Sequence, residues 1–339
     1  MKIDIFNHFY PRRFFDTFVA DAPQVKDMGK RVRNIPTLID LDARFRMMDE
    51  FGDFRQVISL PTPPLEQLAG PDKCPLLAKV ANDGLAELVQ LYPDRFPAFV
   101  ASLPMSNPEE AAKELERSTQ LGAKGVQILT NVAGKPLDSE EFRPLFDEIG
   151  RRDVVVWLHP ARGTNFPDYS TEDKSLYEIW WTFGWPYETS VAMARLVFSG
   201  LFDRWPNFKI ITHHMGAMIP YFEGRVGYGW DQLGTRTSET DYTTFLRNMK
   251  KRPIDYFRMF YADTALFGAL AGTRCGLEFF GVDHVLFASD APFEPSPGLY
   301  ARETIRVIES LGLSAADKDQ IYRGNAERLL RLSAASAAD

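Results

Sequence analysis

Short, nearly unbroken apolar runs recur along the chain: "KIDIF" (2–6), "RQVISL" (55–60), "FPAFVAS" (96–102), "KGVQIL" (124–129), "VVVWLH" (154–159), "FKIITH" (208–213), "RMFYAD" (258–263) and "HVLFAS" (284–289). Continuous apolarity, rather than alternation with polar residues, is expected of strands covered on both faces. Between them the spacing changes to a helical period, as in "PEEAAKELERSTQLG" (108–122) and "EEFRPLFDEIGRR" (140–152), each closing near a glycine or basic residue as helix C-termini do. Eight strands alternating with helices predict an α/β chain folded as a (β/α)8 TIM barrel. The competing architecture is a doubly wound open sheet, but no GxGxxG turn follows the first strand. A single barrel domain is expected over residues 1–332, followed by a flexible tail, "SAASAAD" (333–339). Two connections are long, residues 9–50 after the first strand and 160–207 after the fifth. Connections of that kind lie on the C-terminal face of a barrel and cover the active site.

Composition narrows the partners. The 339 residues are 45% hydrophobic and carry a net charge of -7 without a long basic run, which argues against nucleic acid or an anionic membrane and for a small molecule. No apolar stretch approaches the roughly 20 residues that cross a bilayer, and the N-terminus lacks a signal-peptide pattern. Cys74 and Cys275 form no CxxC pattern, so a reducing, cytoplasmic setting is expected.

Four of the five histidines fall at or just past strand ends: His8 after the first, His159 after the fifth, His213 and His214 after the sixth. Asp290 follows the eighth. In a closed barrel these ends share one rim, so residues far apart in sequence can meet. A lone histidine at a strand end is usually a hydrogen-bonded structural residue, but that reading does not explain four together. Imidazole and carboxylate suit Zn²⁺ or a similar ion, and a catalytic site usually keeps three protein ligands. His8, His159 and Asp290 would supply them, leaving His214 for proton transfer. His284, at the start of the eighth strand, belongs to the opposite rim and reads as structural.

"YEIWWTFGWPYE" (177–188) concentrates Trp180, Trp181 and Trp185 in the connection after His159. These would close an apolar pocket over an aromatic substrate, or pack a subunit interface. Arg162 and Arg225 are the candidate cations for a substrate carboxylate, although exposed arginines are common. Asn7 should point away from its neighbours on the strand and serve as a donor behind the ligands.

These motifs together resemble the amidohydrolase superfamily, in the branch typified by aminocarboxymuconate semialdehyde decarboxylase and the hydroxybenzoate-type decarboxylases. The family's opening Ile-Asp-x-His-x-His-x-x-Pro stands here as Ile3 to Pro11, with His8 as the second histidine and Phe6 in place of the first. "WLHP" carries His159, "VLFASDAPFE" carries Asp290, and "GNAERLLRL" (324–332) is similar to the closing helix. "ARLVFSGLFDRWPNFKIITHHMGAMIPY" (194–221) registers His214 as the family's strand-six histidine and leaves His213 as the residue before it. The resemblance implies a homodimeric barrel with a divalent metal, zinc first and manganese second. It implies non-oxidative decarboxylation of a small aromatic, hydroxybenzoate-like, or dienoic carboxylic acid, with Asp290 as ligand and proton donor and His214 assisting. Other members hydrolyse lactones or hydrate double bonds, so a lactonase, hydratase or other hydrolase of ring-cleavage products is the alternative.

Phe6 has no lone pair, and three readings follow. A metal is held by His8, His159 and Asp290 with water in the gap; or it is lost, leaving a metal-independent hydrolase worked by His214 and Asp290; or the barrel is a non-catalytic small-molecule binder. The usual three-ligand count favours the first. Phe6 itself would be a stacking wall for an aromatic substrate or a core residue on the barrel floor.

Overall fold

The computed structural model describes residues 1–19 and 27–332, and every apolar run forms a strand. The barrel strands are β1 (Lys2–His8), β2 (Phe54–Ser59), β3 (Ala98–Phe99 and Ala101–Ser102, interrupted at Val100), β4 (Gly125–Leu129), β5 (Val155–His159), β6 (Ile210–Thr212), β7 (Tyr261–Asp263) and β8 (Val285–Leu286). Neighbours pair in parallel from β1 round to β8. The two halves of β3 serve different partners, β2 and β4, and Val100 N–H bridges the break by donating to Ile58 O at 2.9 Å. Closure comes from Ile5 N–H to Phe287 O (3.0 Å) and Asp290 N–H to Phe6 O (2.9 Å). The barrel is therefore shut, and its C-terminal rim brings β1 and β8 together at Phe6 and Asp290.

Strand β8 is shorter than its apolar run because side chains replace the ladder where the chain turns into the rim. Thr264 Oγ1 accepts from Ala288 N (2.9 Å) and donates to Ala288 O (3.0 Å), while Ser289 N donates to Asp4 Oδ1 (3.1 Å). The outer helices follow local chemistry. Helix Pro108–Gln120 starts with proline in its first turn behind Asn107, whose side chain accepts from Glu110 N at 3.3 Å. Helix Arg143–Arg152 stops where Asp153 enters the left-handed region at φ 55°, with Arg151 and Arg152 against the C-terminal dipole. A short hairpin, Asn131–Val132 with Lys135–Pro136, follows β4 and was not expected from the pattern. The tail at 333–339 lies outside the described residues.

Inside the barrel the floor is apolar: Ile3, Ile5, Phe6, Val57, Ala98, Trp157, Ile211 and Leu286 form one buried cluster. Trp157 fits because Gly125 on the neighbouring strand has no side chain; a Cβ there would stand 2.3 Å from the indole Cζ3. Its Nε1 donates to Ile5 O at 2.8 Å, so the burial leaves no orphan donor.

A buried polar knot, invisible in the hydrophobic pattern, ties β1, β2, β8 and helix Leu41–Asp49 together. Asp4 accepts from Gln56 Nε2 (3.0 Å) and Ser289 Oγ (2.6 Å). Arg44, fully buried, donates to Gln56 Oε1 (2.8 Å), Asn7 Oδ1 (2.8 Å) and His8 O (3.0 Å). Asn7 is thus turned outward, as its place on the strand implied, and the His8 backbone is clamped from behind. Among the described residues no helix is long and apolar enough to cross a membrane.

Burial pushes the Asp4 carboxyl from its ordinary 3.8 up to about 6, against the pull of its hydrogen bonds and Arg44. The native state then binds more protons than the unfolded chain between these values. Asp4's contribution to stability is complete below about pH 4 and is lost as the pH rises through about 6. Chemical denaturation at pH 4 to 7 should show wild type losing on the order of 3 kcal/mol more than Asp4→Asn over that interval. Equal pH slopes for the two proteins would refute this.

Candidate metal centre and pocket

Four buried groups converge where β1, β5, β6 and β8 reach the rim. His8 and His159 are the last residues of β1 and β5, His213 directly follows β6, and Asp290 follows β8. His8 Nε2 and His213 Nε2 each stand 3.3 Å from Asp290 Oδ1. Ligand atoms of His8, His159 and His213 lie within 4.8 Å of one another. Donors at about 2.0–2.1 Å from a tetrahedral zinc are roughly 3.3 Å apart, so the Asp290 spacings suit such an ion.

The orientation of the imidazoles is fixed from behind. His8 Nδ1 donates to Leu60 O (3.1 Å), His159 Nδ1 to Pro160 O (2.8 Å) and His213 Nδ1 to Asp263 Oδ2 (2.5 Å). With the proton on Nδ1, each ring turns the Nε2 lone pair inward, the tautomer a metal requires. Neither His8 Nε2 nor His213 Nε2 has a hydrogen-bond partner among the described residues, although both are buried. Lone pairs aimed at a carboxylate repel unless a cation lies between them, and a buried polar atom without a partner is costly.

Burial holds the His8 imidazole below its ordinary range against the pull of Asp290, and holds His159 well below it with help from His8 and His213. Both are therefore neutral and ready to ligate. Burial opposes a charge on His213 too, but Asp263 and Asp290 on either side outweigh it and raise the group to about 9. Burial likewise works against ionised Asp290; His213, His214 and His8 overcome it and keep the carboxyl well below its usual value. In the absence of a metal the cluster thus takes up a proton in its place.

His214 has a different position from His213. The backbone is left-handed at His214 (φ 54°), Met215 (φ 55°), Gly216 (φ 72°) and Ala217 (φ 57°), an uncommon series for non-glycine residues that concentrates strain at this turn. Gly216 is required there, since a Cβ would lie 2.6 Å from Phe280 Cζ. The turn sends His214 to the cavity, with Nε2 3.6 Å from Asp290 Oδ2, while His213 stays at the barrel end. Burial, then His213, lowers the His214 pKa.

Above the cluster lies a cavity of about 770 Å³, within the size range of small-molecule sites. His159, His214 and Asp290 form its base, Trp180, Trp181, Trp185, Phe267 and Phe293 its walls, and Lys30, Arg31, Lys174 and Tyr300 add polar groups to its lining. The three tryptophans stand where the sequence suggested, and Trp185 is anchored by Nε1–H to Arg162 O at 3.1 Å.

Three residues expected at the substrate stand outside the cavity lining. Phe6 is fully buried and stacks on His213 (centroids 3.8 Å apart, planes at 14°), so it is the barrel floor and does not face the cavity. Arg162 is turned to Glu188 (3.1 Å) and packs on Phe166, in the neighbouring depression. Arg225 is exposed on the turn Arg225–Gly229 and does not line the cavity. The cations that do line it, Lys30, Arg31 and Lys174, sit on the long connections and carried no pattern to single them out. His284 serves the opposite rim, its Nδ1 donating to Arg258 O at 3.1 Å.

Known proteins resemble the chain over most of its length. The model of the amidohydrolase family described as "Amidohydrolase" matches residues 4–332. The gamma-resorcylate decarboxylase of Polaromonas sp. (strain JS666) is 34% identical over 315 residues, covering 87% of this chain and 89% of that protein. The 2-amino-3-carboxymuconate-6-semialdehyde decarboxylase of Dictyostelium discoideum is 27% identical, covering 98% and 92%. Among solved structures, the dihydroxybenzoic acid decarboxylase of Polaromonas sp. JS666 with bound manganese and the inhibitor 2-nitroresorcinol superposes with a TM-score of 0.78 at 31% identity, covering 98% of each chain.

Proposed function

The chain belongs to the amidohydrolase family, and from that premise we propose that it is a metal-dependent decarboxylase of small hydroxybenzoate-like acids. The observation that carries this reading is the convergence of imidazole nitrogens and the Asp290 carboxylate at the base of an aromatic-walled, cation-lined cavity. His8, His159 and Asp290 would hold the ion: their donors are buried, His8 and His159 are turned inward by backbone acceptors, and His8 Nε2 lacks any other partner. A set dominated by imidazole favours zinc; the manganese in the solved relative keeps that ion as the second candidate.

When bound, the ion would supply Lewis-acid polarisation to an anionic substrate. The side chains account for the remainder. Trp180, Trp181, Trp185 and Phe293 hold an aromatic ring by offset or edge contacts and exclude water. Lys30, Arg31 and Lys174 favour an anionic ligand over a neutral one. Asp290 divides its work between its two oxygens: Oδ1 faces His8 and His213, and Oδ2 faces His214. The Asp290–His214 pair, with Oδ2 and Nε2 3.6 Å apart at the cavity base, would pass a proton to the ring carbon that bears the carboxylate. The bond to that carboxylate then breaks, carbon dioxide leaves, and the ring recovers its aromaticity.

Two unpaired cysteines, Cys74 and Cys275, support a reducing, cytoplasmic setting. Tyr169, Tyr177, Phe183 and Tyr187, all exposed on the connection after β5, support a homodimer that covers them.

Purified protein loaded with Zn²⁺ or Mn²⁺ should release carbon dioxide from at least one member of a hydroxybenzoate panel. Chelation should abolish the release, and Asp290→Asn or His214→Ala should lower kcat by about 100-fold or more. Lactone hydrolysis without carbon dioxide would replace the decarboxylase with a hydrolase, and activity indifferent to both substitutions would overturn the residue assignments. Light scattering coupled to gel filtration should give twice the 38.5 kDa chain mass. A monomer would remove the dimer.

A further inference from the structure

Phe6 removes a donor from β1, yet two overlapping triads of possible ligands remain among the described residues, His8–His159–His213 and His213–His214–Asp290, and His213 belongs to both. We propose that His213 is the fourth protein ligand of the metal centre, supplying from the end of β6 what Phe6 cannot supply from β1, with Asp263 as its positioning residue. The proposal rests on the reading that this cluster holds a divalent ion.

Four observations support it. His213 Nε2 lies 3.3 Å from Asp290 Oδ1, the same distance as His8 Nε2, so the two imidazoles relate alike to the carboxylate they would share an ion with. That nitrogen is buried and has no hydrogen-bond partner among the described residues. Its other ring nitrogen donates to Asp263 Oδ2, and Asp263 Oδ1 is itself held by His214 N (3.0 Å) and Ala265 N (2.9 Å), so the carboxylate cannot swing away. A carboxylate behind a histidine is the usual device for orienting a metal ligand and strengthening its basicity. Finally, Phe6 stacks face to face on the His213 ring and holds its plane. The replacement at position 6 therefore removes one ligand and braces another.

His214, one residue on, stays free for the proton because the left-handed turn sends it to the cavity, which His213 does not line. The two adjacent histidines divide binding and proton transfer between them. The competing arrangement is an imidazolium His213 bridging Asp263 and Asp290 without contact to an ion, and metal affinity separates the two.

The test is zinc affinity by competition with a chromophoric chelator, on variants whose circular dichroism and thermal transition are native. His159→Asn and His213→Asn should each weaken binding at least about 100-fold, and Asp263→Asn about 10–100-fold. Exchanging the donor, Phe6→His with His213→Phe, should recover affinity to within about tenfold of wild type. If His213→Asn binds within about twofold of wild type while His159→Asn does not, the centre stands and His213 is not its ligand. If His159→Asn also binds normally, the centre itself is misassigned. Should His213→Asn not fold, the cobalt(II) form of the unmodified protein decides by its paramagnetically shifted, exchangeable imidazole N–H resonances. Three of them, from His8, His159 and His213, support the assignment, and two overturn it.

Discussion

The structure around the rim depends on one electrostatic constraint: inward-facing imidazole nitrogens and an ionised carboxylate, all buried, cannot remain together without a positive charge among them. His8 Nε2 and His213 Nε2 both face Asp290 Oδ1 at 3.3 Å. The groups are buried, so the compensation must come from a proton, which His213 takes up between Asp263 and Asp290, or from a metal ion among the inward-facing Nε2 atoms, whose rings are fixed by their Nδ1 acceptors. The aromatic walls above and the apolar floor below raise the cost of leaving that charge unbalanced.

The barrel meets this constraint by fixing the backbone on which each donor rides. Arg44 grips the His8 carbonyl and the Asn7 amide from outside β1, and Asp290 is tied to β1 through Phe6 O. Asp263 at the end of β7 secures both the His213 ring and the His214 backbone. The left-handed run at 214–217 is the strained element, and it turns two sequence neighbours in different directions, His214 to the cavity and His213 to the barrel end. Stability and function share these contacts, since the knot of Asp4, Gln56, Arg44 and Ser289 that closes β8 on β1 also holds the two ends of the site in register.

Much of this was legible in the sequence. The eight strands showed as apolar runs because both of their faces are covered, and the position of His8, His159 and Asp290 on one rim followed from the strand ends of a barrel. Trp180, Trp181 and Trp185 were found as a local bunch. The remainder depends on contacts between distant segments. Asp263 carries no motif and acquires its role only because β7 lies beside β6. Arg44 looks like a surface residue of helix Leu41–Asp49 until β2 is placed against it. Family register assigned the strand-six role to His214 and passed over His213; the backbone turn that gives each ring its own direction has no signature beyond Gly216. Phe6 signalled a missing donor, and only its stack on His213 shows what the phenyl ring does in the donor's place.

Anomalous diffraction from crystals of the zinc-loaded protein, recorded on both sides of the zinc absorption edge, addresses the central claim most directly. The account predicts one strong peak enclosed by His8, His159 and His213 Nε2 and an Asp290 oxygen, each about 2.0–2.2 Å away. No peak in the cluster would contradict it. So would a peak bound by His8, His159 and Asp290 alone, with His213 still lying as an ion-paired bridge between Asp263 and Asp290.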